Sequence, residues 1–443
     1  SRECVSRPGV DAGRIEGISF DATSATVLMV DREGLPLAPA ILWMDQRAVE
    51  EAEQVTRTGH PILKYVGGQD SVEWMVPKAL WLKKNSPELF HRAHHILEAT
   101  EWIGFKLCGA WTASLCTATC KWNYVSVEGG WQKDFFAALG AADLLDKWPS
   151  EVVPMGRPIG HLGKSAAADM GLPSGIPVAE GGIDAYVGLL GLNALGTSRM
   201  GLIIGTSNVL FVLNDAPVFS PRFWGPYPDA VLEGKWVIEG GQTSTGSIIN
   251  WIMGNLPGNG GGAADKASAL GSLEEEAAIV APGSEGLVML DYWQGNRTPR
   301  RDPRARGVIF GLTLAHEPRH LLRCAYEGIV FGSRHILDEL ALAGVKVTGA
   351  AAGGGGTQSR IWLQMTADVC NIPITVPRDA EACGIIGSAV CAATGAGRYA
   401  SLSEAAAAMV KDERTVRPAG NAASYAESYR KYLALYEATK ELL

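Results

Sequence analysis

The chain has 443 residues, 47% of them hydrophobic and 19% charged, with 53 glycines and a formal net charge of −8 at pH 7. That length exceeds one ordinary hydrophobic core, so two domains are expected, with a cleft between them as a natural ligand site. The acidic balance and the absence of a concentrated basic face argue against a nucleic-acid or anionic-membrane partner. Neither a membrane-spanning run nor the apolar centre of a secretory signal is visible, so a cytoplasmic protein is expected.

From Arg14 to Trp43 two apolar runs, IEGISF and ATVLMV, flank the polar turn Asp21-Ala22-Thr23-Ser24, which reads as strands joined by short turns. Helical spacing is expected from Pro77 to Leu107, stopping at Gly109, and DFFAALGAADLLDKW reads as a further amphipathic helix. In IPVAEGGIDAYVGLLG a strand ends at Glu180, two glycines turn the chain, and Asp184 opens an Ala/Leu/Gly-rich helix. MGLIIGTSNVLFVL then repeats the strand, turn, strand layout of the opening stretch, a weak sign of internal duplication that places a domain boundary near residue 190. LPGNGGGAADKASALGSLEEE reads as a loop and a helix, and Arg319 to Leu340 as a long helix. VKVTGAAAGGGGTQSRIWLQ and IPITVPRDAEACGIIGSAV each read as strand, loop, helix, and the C-terminal SYAESYRKYLALYEATKELL as a packing helix.

Asp184 sits where two glycines leave a carboxylate at a helix start, with the N-terminal dipole favouring its ionised form; it could be a base or a helix cap. Gly205-Thr206-Ser207 could offer N–H and O–H groups to a phosphate or be a plain turn. Gly353 to Gly356, after a strand and before a helix, expose more backbone than packing requires, which favours close approach of a flat or anionic ligand. His91, His94 and His95 have helical spacing but no carboxylate or cysteine at matching distance, which disfavours a metal site. The eight cysteines lack the density of a disulfide framework and read as reduced thiols. No Gly-x-Ser-x-Gly elbow or GxxxxGK[ST] loop is present.

Taken in order, these segments resemble the FGGY carbohydrate kinase family. PLAPAILWMDQRA is similar to the family's Trp-x-Asp-x-Arg stretch, and PKALWLKKNSPELF to its first signature, loosely, through Lys78 and Trp81. GGIDAYVGLLG resembles the segment with the catalytic aspartate. GVIFGLTLAHEPRHLLRCAYEG resembles the second signature except at Cys324, and AAGGGGTQSRIWLQ the adenosine loop. The resemblance implies an α/β chain of two actin-like ATPase (ribonuclease-H-like) domains with a nucleotide and sugar cleft between them. Residues 1–190 would be the sugar-binding domain and 191–443 the nucleotide-binding domain. It implies ATP with Mg²⁺, a small sugar as the second substrate, and a homodimer as one candidate assembly.

By the same resemblance Asp184 would be the catalytic base. Asp21, Thr23, Ser24, Asp45, Lys121 and Glu239 would hold the sugar. Gly205, Thr206, Ser207, Gly246 and Asn250 would meet the nucleotide phosphates and their surroundings, and Gly355, Gly356 and Ser359 the adenosine; no metal ligand is assigned. The turn at residues 21–26, CKWNY, FWGPYPDA and EGGQTSTGS are most like D-ribulose kinases among the pentulose kinases. L-ribulose, xylulose, ribitol, or a non-catalytic sugar or nucleotide binder are the alternatives. The family opens with an Asp-x-Gly-Thr phosphate loop upstream of the stretch that matches here. The expectation is that the first strands of the domain are missing from the given residues, rather than that the protein is a truncated, inactive form.

Overall fold

The computed structural model describes residues 2–255 and 263–442. The chain forms two compact units that interleave in sequence: residues 1–195, 213–238 and 382–411 make the first, and 196–212, 239–381 and 412–443 the second.

In the first unit short strands associate in pairs. β1 (Asp21–Ala22) runs parallel to β8 (Gly182–Ile183), with Asp21 opposite Gly182 and Ala22 opposite Ile183. β2 (Val27–Val30) is antiparallel to β3 (His95–Glu98), with Val27 opposite Glu98. β4 (Thr112–Ser114) is parallel to β5 (Glu151–Val153), and β6 (Pro158–His161) antiparallel to β7 (Pro177–Ala179). The unbroken run Val-Leu-Met-Val of β2 is buried along its whole length, as a strand covered on both faces must be.

The helical expectation for Pro77 to Leu107 holds only in part. Helices span Met75–Asn85, Pro87–Arg92 and Ala99–Cys108, and the last stops at Gly109 with φ 77°. Between them, HILE is the strand β3, buried throughout and paired with β2. Four apolar or half-apolar residues between two helical patterns carry no periodicity of their own, so tertiary pairing decides. DFFAALGAADLLDKW likewise divides into a helix, Lys133–Ala138, and a 3₁₀ turn, Ala142–Lys147. Gly140, at φ 65°, breaks it.

Two helices of this unit meet backbone to backbone. A Cβ at Gly191 of the helix Asp184–Gly191 would lie 1.9 Å from the Cys383 carbonyl oxygen, and one at Gly387 of the helix Cys383–Gly395 would lie 2.0 Å from that of Val187. Glycine is required at both contacts, and the pairing brings the start of the second helix, at Gly384, against Asp21.

In the second unit β9 (Arg199–Ile204) and β10 (Asn208–Asn214) form an antiparallel hairpin across Gly205–Ser207, with Asn208 opposite Ile204. β11 (Trp224–Pro228) belongs to the first unit, and β12 (Trp236–Gln242) enters the second at Glu239. β13 (Val288–Leu290) and β14 (Val308–Phe310) are antiparallel. β15 (Gly349–Gly353) runs parallel to both β9 and β16 (Ile374–Pro377), and β17 (Asp412–Val416) is antiparallel to β16, giving the order β10-β9-β15-β16-β17.

The long helix Pro318–Leu342 begins with proline in its first turn and a capping box between Glu317 and His320. It buries Leu322, Ala325, Ile329, Val330 and Ile336, each large aliphatic side chain contributing about 1.5–3 kcal/mol by leaving water. The C-terminal helix Ala426–Thr439 turns Tyr432 inward, where its hydroxyl donates to Asp291 at 2.7 Å. The helix Ala263–Ala278 follows the glycine-rich stretch 256–262, which lies outside the described residues. Among the described residues no helix is long and apolar enough to cross a membrane.

Candidate active site

The parallel pairing of β1 with β8 puts Asp21 and Asp184 at neighbouring points of the first unit, since Asp184 follows β8 directly and opens the helix Asp184–Gly191. Asp184 is partly buried, and its Oδ1 accepts the Ala185 N–H at 2.7 Å. Burial pushes its pKa above the usual 3.8; the Ala185 N–H pulls it back, the charge of Asp21 adds to the rise, and Lys121 opposes it. Loss of water and a second carboxylate thus act against the ionisation that the helix start, through the Ala185 N–H, and Lys121 favour. Asp21 is held in turn by the Ser388 hydroxyl, which donates to its Oδ2 at 3.0 Å.

Lys121, at the end of the helix Leu115–Lys121, is buried with its ammonium 4.9 Å from the centre of the Trp74 ring. Its charge also reaches Asp70 and Glu98. Asp70, fully enclosed and bonded by Ser71 N and Asn123 Nδ2, is driven up to about 7 by burial. Thr23 is exposed and shares a hydroxyl contact with Thr26 at 3.2 Å, while Ser24 is partly buried. Asp45 is locked by Arg47: Nε donates to Oδ1 at 2.9 Å and Nη2 to Oδ2 at 2.7 Å. That hydrogen-bonded guanidinium lowers Asp45 to about 2, so it is an anion at any working pH.

In the second unit the turn Gly205-Thr206-Ser207 is gripped from behind by the start of the helix Gly246–Asn255. Gly246 N donates to Gly205 O at 3.0 Å, and Thr245 N and Ser247 N donate to Thr206 O at 3.0 and 3.2 Å. Thr245 Oγ1 adds a bond to Asn208 Oδ1 at 3.0 Å. These bonds consume carbonyls; the Thr206 and Ser207 amides take part in none of them, and the Thr206 side chain is exposed. Because β15 lies beside β9, its glycine loop comes up against the same turn: Cβ atoms at Gly354 and Gly356 would stand 2.5 Å from Ile204 O and 2.1 Å from Ile204 Cγ2. Gly355 faces open space. Ser359 caps the helix Arg360–Cys370, its Oγ accepting from Trp362 N at 3.2 Å. A cavity of about 890 Å³ lies alongside, lined in part by Gln358, Arg360, Ile361 and Ile279.

The structure thus gathers Asp21, Thr23, Ser24, Lys121 and Asp184 in the first unit and Gly205, Thr206, Ser207, Gly246, Gly355, Gly356 and Ser359 in the second. Asp45 stands beyond the turn with Arg47. Asn250 is exposed on the helix whose first residue meets the turn. Glu239 belongs to the second unit, buried in β12 with Arg297 Nη2 3.8 Å from its Oε1. Ser388, Glu98 and Trp74 were not singled out as site residues; Ser388 touches Asp21, Trp74 touches Lys121, and Glu98 holds the neighbours Ala25 and Trp122. His91 ends one helix while His95 lies in β3, so the helical spacing that would have aligned the histidines does not exist. Among the described residues no cluster of three or more histidines, cysteines or carboxylates could hold a metal ion, and all eight cysteines are free.

Residues 1–191 match the N-terminal domain, and residues 200–396 the C-terminal domain, of the FGGY family of carbohydrate kinases. The chain is 33% identical to the human FGGY carbohydrate kinase domain-containing protein, over 98% of this chain and 86% of that one. It is 32% identical to the ribulokinase of Geobacillus thermodenitrificans (strain NG80-2), over 97% and 81%. The xylulose kinase of Rhodospirillum rubrum superposes with a TM-score of 0.85 at 26% identity, covering all of this chain and 88% of that one. The glycerol kinase of Plasmodium falciparum, solved with ADP, shares the fold with a TM-score of 0.79 at 20% identity, over 94% and 82%. The chain belongs to the FGGY family of carbohydrate kinases, ATP-dependent sugar phosphotransferases with a two-domain fold.

Proposed function

We propose that the protein transfers the γ-phosphoryl group of ATP to the terminal hydroxyl of a pentulose, O5 of D-ribulose in the preferred reading, releasing D-ribulose 5-phosphate and ADP. The observation that carries the mechanism is Asp184, a partly buried carboxylate that feels the charges of both Asp21 and Lys121. A sugar hydroxyl is a poor nucleophile, and phosphoryl transfer asks the protein mainly for positioning, charge stabilisation and a base. Asp184 takes the O5 proton as O5 attacks the γ-phosphorus, and the bond to the β–γ bridging oxygen breaks toward ADP. The Thr206 and Ser207 amides and the Thr206 hydroxyl hold the transferring oxygens. The glycine loop admits the adenosine, and the neighbouring cavity supports room for its base.

Asp21, Thr23, Ser24, Asp45, Lys121 and Glu239 bind the sugar's other hydroxyls. In sequence terms residues 1–190 then carry most of the sugar side and 191–443 the nucleotide side. Asp21 and Asp184, neighbouring carboxylates that sense each other's charge, are the residues that would face a Mg²⁺ ion carried in by the nucleotide. When bound, Mg²⁺ neutralises phosphate charge. The ribulokinase relatives and the residue 21–26 turn support ribulose over other pentuloses. A cytoplasmic homodimer is the assembly to test, by light scattering.

The decisive assay follows ADP release with ATP, Mg²⁺ and a panel of D-ribulose, L-ribulose, D-xylulose and ribitol. D-ribulose is expected to give the highest kcat/KM; no turnover with any ketopentose would end the substrate reading. Asp184→Asn is expected to abolish turnover and leave ATP binding intact, and retained activity would remove Asp184 from the role of base.

A further inference from the structure

We propose that Lys78 and Glu98 are positioning residues of the sugar site, jointly fixing the three stretches that carry Thr23 and Ser24, Asp45, and Lys121. The inference rests on reading those stretches as sugar-binding, and deepens it.

Lys78 is fully buried, at 0% exposure, on the helix Met75–Asn85. Its ammonium donates to Ala25 O at 2.8 Å, Leu42 O at 2.8 Å and Trp43 O at 3.2 Å. An ammonium has three donors, and each has a backbone carbonyl here. One carbonyl comes from the turn that holds Thr23 and Ser24, and two from the residues leading into Asp45. Glu98, at the end of β3, is also fully buried. One of its carboxylate oxygens accepts the Ala25 N–H, and the other accepts the indole N–H of Trp122 at 2.6 Å. Trp122 directly follows Lys121 and caps its helix.

Ala25 is therefore held at both its N–H and its C=O, by side chains from two different elements. It needs to be: its φ of 56° is left-handed, a conformation that is strained for alanine and persists only where the surroundings enforce it. A fold that required stability alone would be served as well by apolar side chains, because taking two ionisable groups out of water costs about as much as their buried contacts return. The burial of both, each spent on backbone or indole groups next to a sugar-reading residue, is accounted for by orientation. Lys78 and Glu98 touch no reacting atom and act through the stretches they hold.

The test uses the full chain with Glu98→Gln and Lys78→Met, with Thr23→Ala as the direct-contact comparison. Each is assayed with ATP and D-ribulose, L-ribulose, D-xylulose and ribitol, and followed by amide hydrogen exchange in peptides covering residues 21–26, 42–45 and 119–123. Glutamine keeps the shape of Glu98 but offers one carbonyl oxygen to two N–H donors, so an anchor is lost without a cavity. The sugar KM is expected to rise roughly 10- to 100-fold, the scale of an ångström-sized misplacement, with the ATP KM unmoved. In Lys78→Met the 21–26 and 42–45 peptides exchange faster together, and in Glu98→Gln the 21–26 and 119–123 peptides do. Unchanged exchange in these peptides, or an ATP KM that rises in step with the sugar KM, overturns the proposal. Should Lys78→Met fail to fold, Glu98→Gln decides. Thr23→Ala separates the two readings: a sugar KM raised there but not in a folded Glu98→Gln overturns the clamp alone. A sugar KM unaltered by Thr23→Ala removes the sugar-turn assignment, and the exchange result then judges the clamp.

Discussion

Replacing Gly246 by alanine tests whether the turn at Gly205-Thr206-Ser207 is held at the distance its chemistry needs. A Cβ at residue 246 would stand 2.5 Å from Gly205 O, 3.2 Å from Gly205 C and 3.6 Å from Thr206 Cα. Since those atoms are backbone, no side chain can swing away, and helix and turn must part by roughly 1 Å to reach ordinary contact. That movement loosens the bonds from Gly246 N to Gly205 O and from Thr245 N and Ser247 N to Thr206 O. Overpacking costs about 1–3 kcal/mol, and removing a helical glycine returns about 0.5–1 kcal/mol, so the folded state should lose no more than about 2.5 kcal/mol. Activity should suffer more, because an ångström at a phosphate-holding turn is worth up to ~100-fold in rate. Gly254→Ala is the matched control: it lies on the same helix, its Cβ would meet nothing within 4 Å, and it should raise Tm slightly without touching kcat. Steady-state kinetics with varied ATP, beside calorimetry on both variants, reads the difference. If Gly246→Ala retains kcat/KM for ATP within about twofold of the parent, the turn does not grip the nucleotide and the argument from close approach fails.

Because Asp184 is raised by burial and by Asp21 but lowered by Lys121, the acid limb of the kcat/KM profile should lie above the ordinary carboxylate range. Asp21→Asn should move that limb to lower pH and Lys121→Met to higher pH, and a limb that ignores both refutes Asp184 as the titrating base. Glu180 is fully enclosed and raised from 4.5 to about 8, although Thr112 Oγ1 and Gly181 N donate to it. Between those values the folded state binds more protons than the unfolded one, so its contribution to stability falls as pH rises from 5 to 8; Glu180→Gln should flatten the slope of Tm against pH, and an unchanged slope refutes the assignment. Gly387→Ala places a Cβ 2.0 Å from Val187 O and should destabilise by about 1–3 kcal/mol in denaturant unfolding, while a neutral result would mean the two helices are not in backbone contact.

Much of the site was legible because its parts are local in sequence. Two glycines before Asp184, a Gly-Thr-Ser turn between two apolar runs and four glycines after a strand each announce their geometry within a few residues. What the sequence hides is set by distant partners. The strand HILE looks like the tail of a helical pattern until β2 is there to pair with it. The segments 213–238 and 382–411 fold with the first unit although they follow residue 195, and no local pattern reports that choice. The electrostatic setting of Asp184 is hidden for the same reason: the start of its own helix is readable, whereas Asp21 and Lys121 reach it only through tertiary structure.

On the proposed reading the two units also solve recognition differently. Around Gly205, Gly246, Gly354 and Gly356 the material is backbone packed so tightly that a single methyl collides, and a site made of amides suits a triphosphate, whose oxygens are alike. Around Asp21, Ala25, Asp45 and Lys121 the material is side chain, with the polar groups of Lys78, Glu98 and Ser388 bonded to it from behind. Hydroxyl stereochemistry can be read only by groups fixed in direction, because a donor free to rotate accepts either epimer. On the reading proposed here, substitutions among Lys78, Glu98 and Ser388 should alter which sugar is preferred without any of them touching it, and substitutions among the glycines should alter how well any sugar is phosphorylated. That division follows from the physical difference between a backbone cradle, which leaves no residue to vary, and a side-chain lattice, which does.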